Sequence, residues 1–130
     1  MNWLVRVAIL ILYPRFDGLP GAEDCELDAF LVRFRREAPL LIWIGVLLGA
    51  LVFHLTPLFT VGVPLPAFWL PRGLADRHAH KIASSGPYLT RQAIFVLKLP
   101  AGLAWGAHPQ VRQRFGLPAL EADPGTWRTS

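Results

Sequence analysis

The 130-residue chain is poor in cysteine and in charged side chains, and each scarcity excludes a class of protein. Its single cysteine, Cys25, excludes an internal disulfide framework and any zinc or iron–sulfur site built only from cysteines of this chain. Charged residues make up 17% and hydrophobic residues 53%, whereas an ordinary soluble domain has about a quarter of charged residues. The chain is therefore too apolar for a typical soluble monomer and also too apolar to be disordered.

The sequence also lacks the short motifs that accompany catalysis. It contains no glycine-rich phosphate loop, no GxSxG, HExxH or CxxCH motif, and no constellation of paired carboxylates. Its acidic residues gather in one predicted helix, where the helix dipole explains them better. We therefore expect a chain that is not an enzyme, has no catalytic residues and binds no metal.

Charge is unevenly distributed along the chain. Residues 1–37 carry five basic and six acidic side chains, residues 38–71 carry none, and residues 72–130 carry eight basic and three acidic ones. A basic half that is mixed with aromatic residues suits anionic lipid headgroups or an acidic protein surface better than nucleic acid. We therefore expect a lipid bilayer and a protein as partners, and no nucleic acid.

The uncharged segment 38–71 predicts a membrane-embedded element. About 20 apolar residues are enough to cross a bilayer, so a single span could run from Leu40 to about Phe59. Four prolines between residues 57 and 71 exclude a regular helix of more than one or two turns in the second half. A re-entrant or interfacial segment that turns at Thr56-Pro57 fits the basic flanks on both sides slightly better. The remaining alternative is an apolar helix buried in a large complex.

The other segments predict short helices, so the expected fold class is all-α, with long irregular connections around the embedded segment. The N-terminal part, 1–37, would contain a helix over 3–13 with Leu4, Val7, Ala8 and Ile11 on its apolar face, a turn-rich loop, and a helix over 22–36. The part 72–116 would contain helices over 72–83, 88–105 and 109–115, and 117–130 would be an extended tail. The first apolar stretch has no charged region before it and no cleavage site, which argues against a signal peptide.

Three residues of the uncharged segment are candidate functional residues. His54 is ionisable within a membrane segment, which makes it a candidate ligand for the metal of a flat macrocyclic cofactor. Gly45 and Gly49 form a small-xxx-small pair that would let another membrane helix approach closely. The simpler interpretation is that His54 hydrogen-bonds a carbonyl of a partner and that the glycines only pack against a helix.

His78 and His80 look like a pair of metal ligands. However, residues two apart on a helix point to nearly opposite sides, so both could bind one ion only on a strand or loop. Because Arg77 and Lys81 lie beside them, we expect a solvated or headgroup-facing basic surface instead.

Large aromatic residues outside the uncharged segment predict a protein interface. The predicted helices are short, and they leave several aromatic side chains with little core of their own to fill. Exposed apolar patches of this kind usually mark an interface. We expect the partner to contact Phe30, Phe34, His108 and Trp127.

Two stretches resemble one known family. The first, LYPRFDGLPGAEDCELDAFLVRF, combines a "GLPGA" loop with an amphipathic helix that starts with acidic residues, and the second, LKLPAGLAWGAHPQVRQRFGLP, ends in an "HPxVxxxxGxP" pattern. Both resemble the small subunit of membrane-associated flavin dehydrogenases, the gluconate 2-dehydrogenase subunit 3 type. The resemblance implies a helical, non-catalytic chain in a hetero-oligomer with a large subunit of the glucose–methanol–choline oxidoreductase family. FAD would be bound by that large flavoprotein subunit and no cofactor by this chain.

Two departures from the family pattern affect the expected location. The sequence has no twin-arginine export motif, and it carries the uncharged segment in its middle. We therefore expect a membrane-anchoring small subunit that holds its flavoprotein partner directly at the bacterial inner membrane, on a side that the sequence leaves open. The alternative function is a structural or pigment- or haem-binding subunit of a respiratory or photosynthetic membrane complex that uses His54.

Overall fold

Helices dominate residues 2–84 and 86–119, the part of the chain that the computed structural model describes. The α-helices are α1 (Asn2–Leu12), α2 (Leu27–Glu37), α3 (Leu40–Leu55), α4 (Pro57–Thr60), α5 (Arg72–Ser84), α6 (Tyr88–Ala107) and α7 (Pro109–Arg114), and 3-10 turns occupy Ala22–Asp24 and Ala67–Trp69. No strand longer than the isolated bridge between Phe16 and Leu19 occurs in these ranges. The predicted all-α class is confirmed.

The antiparallel pair of α3 and α6 forms the centre of the fold. Gly45 of α3 lies against Val96, and Gly49, one turn later, lies against Ala93, so the two helices run in opposite directions. The side chains that fill the space around the pair include Val46, Phe53 and Leu97, each with no exposed surface. The core therefore forms around the predicted uncharged segment itself.

Helix α1 packs across α3 with a different face from the predicted one. Val5, Ala8 and Ile9 are fully buried, whereas the predicted Val7 and Ile11 are only partly buried on the other side of the helix. Apart from Asn2 and Arg6 this helix is apolar, so the hydrophobic pattern leaves more than one face that could be buried. The prediction of the helix is confirmed, and the prediction of its buried face is correct for Ala8 but not for Val7 and Ile11, which are only partly buried.

The predicted helix over 22–36 is divided in two. A 3-10 turn covers Ala22–Asp24, and α2 begins only at Leu27, after Glu26 in a left-handed conformation with φ 48°. The Asp24 carboxylate accepts hydrogen bonds from the Gly21 amide at 3.0 Å and from Arg15 at 2.6 and 2.8 Å. These bonds stabilise a turn at the position where the sequence pattern predicted a first helical turn.

The predicted single span over 40–59 is not formed as one helix. Helix α3 ends at Leu55, because Pro57 has no amide hydrogen with which to bond the carbonyl of Phe53. The proline-rich half contains only single turns, as predicted. Among the described residues, no helix is both long enough and apolar enough to cross a membrane.

The C-terminal helices agree closely with the sequence prediction. Helix α5 ends one residue later than expected and α6 two residues later, and α6 continues on both sides of Pro100. Gly116 follows α7 with φ 69°, the left-handed conformation of a helix C-terminus. Most of the predicted tail, 120–130, lies outside the described residues.

Candidate functional site

The outer side of the α3–α6 pair is an apolar face without charged side chains on α3. Leu41, Ile44, Leu48, Leu51 and Leu55 follow one another at three- and four-residue spacing along α3, and all are exposed. On α6, Leu89, Val96, Leu99 and Leu103 share one side of the helix, with the exposed Gln92 between Leu89 and Val96 and with Val96 only partly exposed. We call these two rows of residues the outer apolar face.

The outer apolar face continues into the short helix α4. Leu58 and Phe59 are exposed there, Phe59 to 83%, and Leu41 at the other end of the face is exposed to 78%. Monomeric soluble proteins rarely expose apolar patches larger than a few hundred Å². A face of this extent is therefore the most prominent candidate binding surface of the described residues.

Gly45 and Gly49 lie at a close helix contact, and the contacting helix is α6 of the same chain. A Cβ atom on Gly49 would lie 2.4 Å from the Ala93 carbonyl oxygen and 2.9 Å from the Leu97 Cβ. A Cβ atom on Gly45 would lie 3.0 Å from Val96 Cγ1. The two glycines thus allow the two central helices to approach each other.

His54 is buried at the end of α3, where it joins α3 to α1. Its Nε2 lies 2.8 Å from the Leu4 carbonyl oxygen. Because a carbonyl only accepts, Nε2 carries the hydrogen and donates it, which leaves Nδ1 of the neutral ring as an acceptor. That Nδ1 atom is buried and has no hydrogen-bond partner among the described residues. Burial lowers the pKa of His54, although the bond to Leu4 partly opposes this effect.

The position of the His54 ring limits what could bind to it. The ring packs against Phe53 and Phe68, with centroid distances of 5.5 and 5.3 Å. Since Nε2 already bonds to Leu4, only Nδ1 remains to coordinate a metal. A macrocycle would therefore have to enter from the Nδ1 side.

His78 is a second buried histidine, which the sequence analysis placed on a solvated basic surface. That prediction is wrong for His78, which has no exposed surface, whereas His80 is exposed as expected. The spacing of the buried residues Ala75, His78, Ala79 and Ile82 shows why, because together they form the apolar stripe of α5. The spacing of these four residues is the sequence signal from which the burial of His78 could have been predicted.

The His78 ring joins α5 to the end of α3 and to α4. Its Nε2 donates to the Phe53 carbonyl oxygen at 2.7 Å, and its Nδ1 accepts from the Thr60 hydroxyl at 2.5 Å. The Phe53 carbonyl is the one that Pro57 leaves without a helical donor. Burial lowers the pKa of His78, with the Phe53 bond raising it and the nearby His54 lowering it further. A neutral ring with the hydrogen on Nε2 satisfies both partners.

The predicted interface residues lie in different places. The Phe30 ring stacks on Phe34 at 6.1 Å, and Phe34 contacts Trp43 of α3 at 6.4 Å, so both are partly buried within this chain. His108 is the N-cap of α7, where its Nδ1 accepts from the Gln110 amide at 3.2 Å. Trp127 lies outside the described residues.

The two stretches that carry the family resemblance meet in space. The Trp105 indole donates to the Pro20 carbonyl oxygen at 2.7 Å, and Arg114 of α7 forms an ion pair of 3.1 Å with Asp17. Phe16 and Phe115 project from this region and are exposed. We call the loop 14–21 together with α7 the loop–α7 surface. It brings the two sequence patterns onto one side of the molecule.

No three His, Cys, Asp or Glu side chains within 2–84 and 86–119 are grouped as a metal ion would need. Comparison with protein-family models, with curated proteins and with solved structures gave no significant match.

Proposed function

We propose that this chain is a non-catalytic small subunit that anchors a flavin-dependent oxidoreductase complex to the bacterial inner membrane. The observation that carries the membrane part is the outer apolar face, whose five side chains on α3 are 37–78% exposed. Burying one such leucine side chain in an apolar environment stabilises it by about 1.5–3 kcal/mol. Several of them on one face would hold the chain at a bilayer.

Basic and aromatic residues beside the outer apolar face support a location at the membrane–water interface. Arg33, Arg35 and Arg36 precede α3 and are exposed, where they can contact anionic headgroups. Trp69 is exposed in the proline-rich half of the segment, in keeping with the preference of tryptophan for the interface. In this arrangement α3 and α6 lie in the interface with their outer sides toward the acyl chains.

A vesicle flotation experiment tests the membrane part. The double variant Leu48→Ser/Leu55→Ser should reduce binding to vesicles of zwitterionic and anionic phospholipid by at least about tenfold, since it removes two apolar contacts. The matched control is Val32→Ser/Leu117→Ser, which changes two exposed apolar residues elsewhere. Equal flotation of all three proteins, or no flotation of the wild type, contradicts the proposal.

The flavoprotein partner is proposed from the family resemblance, with support from the loop–α7 surface. Two stretches separated by more than sixty residues in the sequence come together there and expose Phe16 and Phe115. A large subunit could contact both at once. Hydride removal from its substrate onto flavin would be the chemistry of that subunit, and this chain would position it at a membrane acceptor.

Purification from native membranes in mild detergent tests the partner. The wild-type chain should bring with it a protein that shows a flavin absorbance spectrum, and Phe16→Ala/Phe115→Ala should lose it while Val32→Ala keeps it. A stable, monodisperse chain without flavin would contradict the subunit proposal and leave the membrane proposal standing.

A second candidate is a haem- or pigment-binding subunit, and the unpartnered Nδ1 of His54 is the observation that favours it. The co-purified complex would then show a haem or chlorin spectrum. His54→Gln should abolish that spectrum, whereas His80→Gln should not. A complex that lacks both bands excludes this function.

A further inference from the structure

A large cleft lies on the side of α1 that faces away from α3. Its floor consists of Val7, Leu10 and Ile11 of α1, which lie opposite the buried Val5 and Ile9 around the helix. The start of α2 forms one wall, and residues 67–76 form the other. The cleft has a volume of about 920 Å³ and is open to solvent.

The rim of this cleft is acidic, although the chain as a whole is basic. Four carboxylates line it, against two guanidinium groups, and they belong to Glu23, Glu26, Asp28, Asp76, Arg6 and Arg72. The sequence has only nine acidic residues and a net charge of +4. The cleft therefore concentrates negative charge around an apolar floor.

Two of the rim carboxylates are already paired within the chain. Asp28 forms an ion pair of 2.8 Å with Arg6, and Glu23 forms one of 3.2 Å with Arg15. Glu26 and Asp76, on opposite walls, form no ion pair with any residue in the described part of the chain. Cationic side chains of an incoming segment would find these two carboxylates available from either side.

We propose that this cleft is the docking groove for one basic amphipathic segment of a protein partner. Apolar side chains of that segment would pack on Val7, Leu10 and Ile11, while its Lys or Arg residues would pair with Glu26 and Asp76. An anionic lipid surface does not fit, because its phosphates would face the carboxylates of the rim. The groove also lies on the far side of α1 from the α3–α6 pair, so a partner could occupy it while the outer apolar face contacts lipid. The proposal rests on the proposed role as an accessory subunit.

Binding of two synthetic peptides to the full-length protein in neutral detergent tests the groove. Both peptides form an amphipathic helix with the same leucine stripe, and the remaining positions are lysine in one and glutamate in the other. The lysine peptide should bind about tenfold more tightly at low salt, and the difference should shrink as salt screens the charges. This preference opposes the positive net charge of the chain, so long-range attraction cannot produce it.

Two double variants test whether Glu26 and Asp76 cause the preference for the lysine peptide. Glu26→Gln/Asp76→Asn should abolish the preference for the lysine peptide, while Asp17→Asn/Glu37→Gln, with the same change in net charge, should keep it. The proposal is overturned if the wild type binds both peptides equally, or if both double variants lose the preference for the lysine peptide to the same extent. A change in oligomeric state of Glu26→Gln/Asp76→Asn would assign the cleft to a second copy of this chain and overturn the proposal as well. Vesicle flotation should be unaltered in these variants, so failure of the groove is distinguishable from failure of the membrane proposal.

Discussion

The α3–α6 pair and the loop–α7 surface are stabilised by different interactions. At Gly49 the two central helices approach so closely that even one additional carbon atom would collide with a backbone carbonyl. In the loop–α7 surface, the Trp105 hydrogen bond and the Asp17–Arg114 ion pair connect segments that remain largely exposed. The first region should respond to changes of volume, and the second mainly to changes of charge and salt.

This difference follows from where each region lies relative to water. A buried close contact cannot relax without opening the core, so a steric change there costs the full packing energy. An exposed ion pair competes with water and salt, so its loss is largely compensated. The His78 site lies between the two extremes, because its bonds are polar but the ring that makes them is fully buried.

Gly49→Leu should have the largest effect on stability. Its Cβ would meet the Ala93 carbonyl at 2.4 Å, and the rest of the side chain has no space between the helices. We expect the free energy of unfolding to fall by about 3 kcal/mol. Chemical denaturation in mild detergent, followed by circular dichroism, measures it.

Gly106→Ala provides the control for this effect in the same helix pair. Gly106 lies in α6 with nothing within 4 Å of its Cβ position. Because alanine favours a helix over glycine, this variant should be more stable than the wild type by up to about 1 kcal/mol. Equal destabilisation by both variants would contradict the role of the close contact, because the propensities of leucine and alanine both favour the helix over glycine.

His78→Leu should have the next largest effect. It removes the donor to the Phe53 carbonyl, which would stay buried without that partner, and one acceptor of the Thr60 hydroxyl, which keeps the Pro57 carbonyl at 3.3 Å. We expect a loss of about 2 kcal/mol, measured by the same denaturation at pH 7.5. His80→Leu on the exposed side of α5 should change stability by less than about 0.5 kcal/mol. A similar change in both variants would contradict the role of the buried ring.

Acid should destabilise the wild type through the same histidine. The pKa of His78 is lower in the folded chain than its ordinary value near 6.5, so the unfolded state binds the proton more readily. The stabilising contribution is therefore present above about pH 6.5 and is lost as the pH falls below it. His54 acts in the same direction, because burial also lowers its pKa. The thermal midpoint should fall between pH 7.5 and pH 5.5 in the wild type and by less in His78→Gln.

The sequence predicted the helices well because their boundaries depend on local chemistry. The Asp17-Gly18 turn, the helix beginning near Arg72 and the cap at Gly116 each follow from residues close together in the chain. The buried faces were harder to predict. Helix α1 is apolar over most of its surface, so the choice of Val5 and Ile9 depends on packing against α3.

The candidate sites were harder to predict than the helices, because they depend on contacts between residues far apart in the chain. The glycine pair pointed to a close helix contact, but the sequence did not identify α6 of the same chain as the contacting helix. His78 looked exposed beside Arg77 and Lys81; the apolar stripe of α5 indicates its burial, but its hydrogen bond to the Phe53 carbonyl could not be predicted from the sequence. The acidic cleft combines residues from α1, α2 and α5, which no local pattern brings together.

Arg114→Gln should have the smallest effect and sharpen the contrast with Gly49. The Arg114–Asp17 pair connects α7 to the loop at 3.1 Å, but both side chains are more than half exposed. We expect less than about 0.5 kcal/mol of lost stability at low salt, and no difference from the wild type at 0.5 M salt, roughly where screening removes such pairs. Arg114 also donates to the Asp17 carbonyl oxygen at 3.2 Å, and Gln can replace part of that bond, which keeps the loss small. A loss that persists at high salt would mean that the loop–α7 surface is held by buried contacts like those of the central helices.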